Sequence, residues 1–467
     1  MTRHIGLFAL ALVAATPSVA RAQTVESRID TVVARQMRAR RIPGLSLAVI
    51  RDGHVVYAKG YGEANLEWHS PATPTTVYLL ASMTKQFTAT AIMMLVGEGK
   101  VRLTDSIAKY VSNAPDAWRG ITVRHLLEHT SGLADRFELT ADDRMFLDYS
   151  TSQMLDAARR TPVDFAPGAS WQYSDQGYFL LGIVVERASG TSYGQFMRDR
   201  IFTPLGMKST SMHDWYAIVP ERADGYSLVG GQLIGSRRRY QFNIVSHYGV
   251  QSTVLDLARY DSALVAGALV PQSVLAQMWT PAKLSNGRVA GIAGMAYGFG
   301  WFLERFAGHP IVHHGGSTGT CVFRLPDEKL SVMVLTNLEQ AAGSDPCFIA
   351  RGVATRYVPS MSIVDAPVAA NQDTARTARM RRAIDAFIRG KLDSTDYTPE
   401  AYAALSAAAV QQSAAFQQLG AMSSFELVAA DTLAGTVAHY RARFANATIH
   451  FRFVLDERDR ITSLQAR

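Results

Sequence analysis

Ser82-Met83-Thr84-Lys85 stands between the apolar run Val77-Tyr78-Leu79-Leu80-Ala81 and a longer one from Phe87 to Val96. The arrangement predicts a serine at the first turn of a buried helix. Lys85 then lies one turn further along the same face, within reach of the Ser82 hydroxyl. A serine hydroxyl is a weak nucleophile until a neighbour takes its proton, and a lysine can do so when burial and nearby positive charge lower its pKa. The helix N-terminus disfavours the Lys85 ammonium and favours an anion developing beside Ser82. Ser-x-x-Lys also occurs in helices where the serine only caps and the lysine is solvated, so the reading depends on what accompanies it.

The N-terminus has a basic start, Met1-Thr2-Arg3-His4, an apolar core from Ile5 to Ala15, and small residues at Ala20-Arg21-Ala22. Residues 1–22 therefore read as a cleaved secretory signal. The apolar core is too short for a bilayer-spanning anchor, and no later stretch is long and apolar enough to cross one. A secreted or periplasmic protein without a membrane span after cleavage is expected. Loss of Arg3 and Arg21 lowers the formal charge from +7 to +5. This mild balance allows attraction to anionic cell-wall polymers, but no basic patch with interleaved aromatics points to nucleic acid. The two cysteines, Cys321 and Cys347, would meet an oxidising compartment. The strand and helix that carry them flank one short β-hairpin, so a disulfide is expected, with two buried free thiols as the alternative.

Along the chain, Leu45 to Ile50 and His54 to Ala58 flank Asp52-Gly53, a strong β-hairpin signal. A helix-rich middle follows from Ser82 to about Tyr260. Strands return at Tyr297–Phe306, Ile311–His313, Thr320–Leu325 and Leu330–Leu335, followed by a helix from Cys347 to Tyr357. Strands from both ends of this region can share one antiparallel sheet with the helical middle as a separate lobe, leaving the site in the cleft between them. The predicted class is a two-lobed α/β fold. Residues 23–358 form its main domain, 359–377 an aperiodic linker, and 378–467 a small α+β module with helices at Arg379–Arg389 and Pro399–Leu419.

Two further segments can carry chemistry. In Trp171-Gln172-Tyr173-Ser174-Asp175, Tyr173 precedes a helix and can project into a cleft, where its phenolic oxygen relays a proton if cationic neighbours favour the phenolate. In His313-His314-Gly315-Gly316-Ser317-Thr318-Gly319, two glycines at a strand start let the backbone approach a ligand closely.

In order and spacing, Ser82 to Lys85, Tyr173 to Asp175 and His314 to Gly316 resemble the three signatures of the serine β-lactamase and penicillin-binding protein superfamily. The nearest branch is that of class C β-lactamases, D,D-peptidases, D-amino-acid amidases and related esterases. Leu126 to Leu133 and Tyr297 to Trp301 look like supporting segments, and the resemblance spans about Val25 to Val358. It implies that Ser82 is acylated, Lys85 is its base, Tyr173 shuttles a proton to the leaving group and His314 completes the polar cluster. It places substrate and oxyanion contacts at Ser82, Asp175, Gly315, Gly316 and Ser317, with the N–H groups of Ser82 and Ser317 as oxyanion donors. No metal or organic cofactor is implied. The partner is a small-molecule or peptide substrate, cell-wall peptides included, with the oligomeric state left open. Two departures matter. Asp175 stands where Asn is usual, and an ionised carboxylate there would raise the pKa of Lys85. His314 replaces a lysine whose fixed charge helps hold a β-lactam carboxylate. An esterase or D-amino-acid peptidase is therefore favoured over efficient β-lactam hydrolysis.

Three rivals follow from the residues. Gly315 to Gly319 fits the G-x-S-x-G elbow of α/β-hydrolases, with Ser317 as nucleophile, but that motif needs a helix after the turn and a hairpin is expected here. His125-Leu126-Leu127-Glu128-His129 fits the H-x-x-E-H zinc motif if both histidines share a helical face. Lastly, Asp175 and the C-terminal module suit a catalytically weak protein that only binds peptidoglycan peptides.

Overall fold

The computed structural model describes residues 24–135, 137, 148–214, 216–236, 241–242, 246–339, 345–364, 366–370 and 373–466. The leader expected at residues 1–22 lies outside the described residues. Asp52 and Gly53, with φ of 51° and 78°, close the first hairpin between strands Gly44–Arg51 and His54–Asn65. Two consecutive positive φ values are those of a type I′ turn, whose twist matches that of the strands it joins.

Gly44–Arg51 also pairs antiparallel with Leu330–Thr336, which joins the two ends of the main domain in one sheet. From Leu330–Thr336 the sheet continues through Thr320–Leu325, His309–Gly316, Phe302–Phe306 and Met295–Tyr297. Side chains alternate across it as a period of two requires. Leu45, Leu47 and Val49 enter a rear core with Ile29 and Val33 of helix Val25–Arg40 and Ile349 and Val353 of helix Cys347–Ala354. Ala48 and Ile50 enter a front core built by the helical lobe, with Phe87, Ile92 and Leu95 of helix Thr84–Gly97 and Phe179, Leu180 and Val184 of helix Asp175–Ser189. Each such side chain gains about 1.5–3 kcal/mol on leaving water. The fold is thus the two-lobed α/β arrangement read from the sequence.

The predicted strand Tyr297–Phe306 is two strands, because Gly300 at φ 80° turns the chain between Met295–Tyr297 and Phe302–Phe306. The strand expected at Ile311–His313 runs over His309–Gly316, so Gly315 and Gly316 end a strand rather than start one. Cys321 and Cys347 are joined in a disulfide, which ties the first turn of the rear helix to strand Thr320–Leu325.

Further along, helix Thr374–Ile388 starts inside the stretch read as linker, because the Asp373 side chain accepts the N–H of Arg376 and caps it. Met361 is buried in the rear core. Helices Thr374–Ile388 and Pro399–Gln417 pack on a four-stranded antiparallel sheet, Met422–Asp431, Thr436–Phe444, Thr448–Leu455 and Ile461–Ala466. Met380, Ile384, Tyr440, Phe453 and Ile461 form its own core.

Candidate active site

Ser82 sits in a single 3₁₀ turn, Ala81–Met83, that runs directly into helix Thr84–Gly97. Ala81 holds φ at 48°, a left-handed value that costs a residue with a Cβ and persists only where neighbours enforce it. The neighbours are two hydrogen bonds on Leu80: its N–H donates to the Val250 carbonyl at 2.8 Å, and its carbonyl accepts from Thr320 Oγ1 at 2.8 Å. Ser82 is half-buried. A Cβ on Gly316 would stand 2.1 Å from the Leu80 carbonyl oxygen, so glycine is required for the strand end to meet this turn. At Gly315 the nearest atom would be 3.5 Å away, an ordinary contact. Ser317 follows in an exposed turn beyond the strand.

The side chain of Lys85 has no solvent exposure, and its three N–H donors are all placed. Nζ lies 3.2 Å from Ser82 Oγ, 2.6 Å from Asp175 Oδ1 and 2.9 Å from the His247 carbonyl. Burial pushes its pKa down, against the opposing pull of Asp175 and, more weakly, Asp135; the net shift is downward. Asp175, at the first position of helix Asp175–Ser189, remains ionised. Burial raises its pKa, but Lys85, His247 and His314 together hold it below the usual range. The carboxylate in the Asn position therefore faces Lys85, the arrangement that the sequence reading identified as restraining the base.

The structure adds a second carboxylate that the sequence reading missed. Asp135 Oδ1 accepts the backbone N–H of Asp175 at 2.6 Å. Burial and the Asp175 charge push the Asp135 pKa up to about 6, against that hydrogen bond and Lys85. No local pattern marks Asp135, since it reaches the site from another loop.

Tyr173 lies with its ring centroid 4.6 Å from Lys85 Nζ. Its hydroxyl is buried beside the hydroxyl of Ser82. Burial and the Asp175 charge hold its pKa well above 10, although the Ser82 hydroxyl pulls the other way. It is thus a neutral phenol, and the condition set for a phenolate, cationic neighbours strong enough to favour it, is not met.

His314 is buried, with Nδ1 donating to the Gly315 carbonyl at 2.7 Å and Nε2 accepting from Tyr297 Oη at 3.1 Å. Burial and the Lys85 charge push its pKa down to about 3, so it contributes a neutral dipole. Ser82, Lys85, Asp175, Tyr173 and His314 are thereby brought into one polar cluster.

The rival motifs come apart. Gly315 to Gly319 forms strand, turn and strand, without the helix an elbow requires. Helix Val123–Leu127 ends before His129, which has φ of 60° and so leaves the face His125 occupies. Among the described residues no group of three or more His, Cys, Asp or Glu is placed to hold a metal. His129 instead accepts the N–H of Ser174 at 3.1 Å, and its ring lies 4.4 Å from that of Tyr173 and 4.6 Å from that of Tyr297. It props the tyrosine loop, a role for which the segment Leu126 to Leu133 was the only sequence signal.

The beta-lactamase family profile matches residues 29–350. Over 309 residues the chain is 29% identical to penicillin-binding protein 4* of Bacillus subtilis (strain 168), covering 62% of this chain and 66% of that one. The chain thus spans less than two thirds of that relative's length. Its fold matches the octameric penicillin-binding protein homologue from Pyrococcus abyssi with a TM-score of 0.61 at 26% identity, over 93% of this chain and 94% of the other. D-amino acid amidase from Ochrobactrum anthropi SV3, solved with L-phenylalanine, gives a TM-score of 0.61 at 25% identity, over 72% of this chain and 98% of the other. Since the profile runs through the Ser82 turn, the Tyr173 loop and the His314 strand alike, the chain belongs to the beta-lactamase family.

Proposed function

We propose that the protein is an exported serine hydrolase that acts through a Ser82 acyl-enzyme on small esters or on amides such as D-amino-acid peptides. Residues 378–467 serve it as an accessory module. The observation that carries this reading is the fully buried Lys85, whose Nζ is 3.2 Å from Ser82 Oγ and whose pKa is lowered by that burial. Similarity to a D-amino acid amidase supports the amide half of the substrate class.

In this reading neutral Lys85 takes the Ser82 proton as Oγ attacks the carbonyl carbon. Negative charge develops on the substrate oxygen, which the N–H groups of Ser82 and Ser317 receive; one such donor is typically worth about 3 kcal/mol in the transition state. The Tyr173 phenol gives its proton to the leaving group and is restored from the Lys85 ammonium, which returns the amine to its starting state. Water then releases the acid by the same steps in reverse order of roles. Neutral His314 offers no fixed charge to a substrate carboxylate, which disfavours efficient β-lactam turnover.

A second reading, a weak catalyst that binds peptidoglycan peptides, has one observation in its favour: the 2.6 Å pair between Lys85 and Asp175 occupies the base. A chromogenic ester and a fluorescent penicillin, offered to the protein and to Ser82→Ala, separate the readings. Turnover abolished in the variant supports the hydrolase. Stable labelling without turnover supports the binder, and labelling that survives Ser82→Ala removes Ser82 as nucleophile.

A further inference from the structure

Behind the sheet, between helices Val25–Arg40 and Cys347–Ala354 and the C-terminal strands, lies a cleft of about 1270 Å³. It is separate from the Ser82 site. His313 lines it while the adjacent His314 bonds Tyr297 on the front, as neighbours on one strand must face opposite ways.

Among the described residues the lining of this cleft is predominantly basic. Six arginines line it, Arg28, Arg35, Arg40, Arg351, Arg356 and Arg452, against Glu304 and Asp345. Both carboxylates are engaged, Glu304 in an ion pair with Arg351 and Asp345 in accepting the N–H of Cys347. Arg452 is only 3% exposed, and burial pushes its pKa down although the charges of Glu304 and Asp431 oppose this. The Nε of Arg356 is buried without a hydrogen-bond partner among the described residues. Unmatched buried guanidinium groups are costly, and clustered like charges add repulsion. An occupant that accepts from several guanidinium forks removes both costs, and carboxylate and phosphate groups have the matching geometry. The volume exceeds the roughly 300–1,000 Å³ usual for drug-sized ligands, so it has room for a molecule with more than one such group.

We infer that this rear cleft binds a small organic polyanion carrying two or more carboxylate or phosphate groups, held by Arg452 and Arg356. The site does not depend on the catalytic reading, because its test measures binding alone.

The full chain is titrated calorimetrically with citrate and, separately, with pyrophosphate, at about 0.15 M salt so that diffuse surface attraction is screened. One site per chain is expected for at least one probe. Affinity should fall roughly tenfold or more in Arg452→Gln and in Arg356→Gln, as loss of a charge-assisted hydrogen bond implies. Preference for citrate identifies a carboxylate ligand and preference for pyrophosphate a phosphate ligand; either supports the site. Circular dichroism checks folding, and if Arg452→Gln does not fold, the half-buried Arg356 decides. The inference is overturned by absence of binding heat with both probes or by unchanged affinity in both variants. It is equally overturned if His314→Ala abolishes binding that Arg452→Gln leaves intact.

Discussion

Lys85 Nζ lies closer to Asp175 Oδ1, at 2.6 Å, than to the hydroxyl of Ser82, at 3.2 Å. The amine proposed to take a proton is thus shared with a carboxylate that prefers it charged. Burial is the larger influence and sets the direction, but Asp175 opposes it through both charge and hydrogen bond. The two effects together set the pH at which Lys85 becomes available as a base.

Asp175→Asn removes the opposing charge and keeps an oxygen that accepts from Nζ. The pKa of Lys85 should fall further, moving the acid limb of the kcat/KM profile to lower pH. A limb displaced by one pH unit carries a rate about tenfold higher at any pH along it. A profile that stays in place would show that Asp175 does not restrain Lys85.

Asp135 should titrate within the working range, at about pH 6. As pH falls through that value it loses its charge, Lys85 is held less strongly as the ammonium, and the acid limb becomes shallower than a single ionisation requires. Asp135→Asn, which keeps an acceptor for the Asp175 N–H, should give a simple limb without the inflection. Rate profiles of the two proteins between pH 4 and 8 decide this; an inflection that survives the substitution excludes Asp135 as its source.

Gly316 and Gly315 should differ sharply on substitution by alanine. A Cβ at 316 meets the Leu80 carbonyl oxygen at 2.1 Å and Thr320 Oγ1 at 2.3 Å, so the strand must retreat from the Ser82 turn. Overpacking of this kind costs about 1–3 kcal/mol, and misplacing the proposed oxyanion donors by about 1 Å costs roughly a hundredfold in rate. Gly315→Ala should stay within about 0.5 kcal/mol. Urea midpoints and ester turnover measure both, and equal effects would refute the contact.

Acid should destabilise the protein through histidines buried in neutral form. His314 and His247 have folded pKa values pushed down to about 3 and about 4, and His129 is held well below 6.5, each with burial as the largest cause. Above pH 6.5 they are neutral in both states and cost nothing. Below it only the unfolded chain takes the protons, and each site loses up to about 1.4 kcal/mol per pH unit down to its folded value. Asp135, raised to about 6, opposes this between about 6 and 3.8, as do Glu128 and Asp396, whose pKa values burial also raises, while His125, lowered by burial, adds to the histidine side. The urea midpoint should therefore fall between pH 7 and 5; a constant midpoint would contradict neutral burial of the histidines.

Local patterns carried much of the molecule. The Asp52-Gly53 turn, the alternation of Leu45 to Ile50 and the apolar run after Lys85 depend on neighbours a few residues apart, and so could be read directly. The Ser-x-x-Lys spacing likewise placed Lys85 beside Ser82, because one helical turn dictates it. The stretch from Pro359 to Thr377 misled for the complementary reason. Burial of Met361 and the Asp373 cap on the following helix are not periodic signals.

From its own pattern the chain specified a helix with a serine and a lysine on one face, the sheet that backs it and the order of three motifs, since helix pitch and strand pleat act over short spans. Only the folded molecule decided that Asp175 would grip Lys85 across 90 residues, that Asp135 would join them, and that Gly316 rather than Gly315 would touch the serine turn. Those contacts join segments whose separation in sequence leaves no repeating trace, and their strength comes from removing charges from water, which happens only once the lobes close.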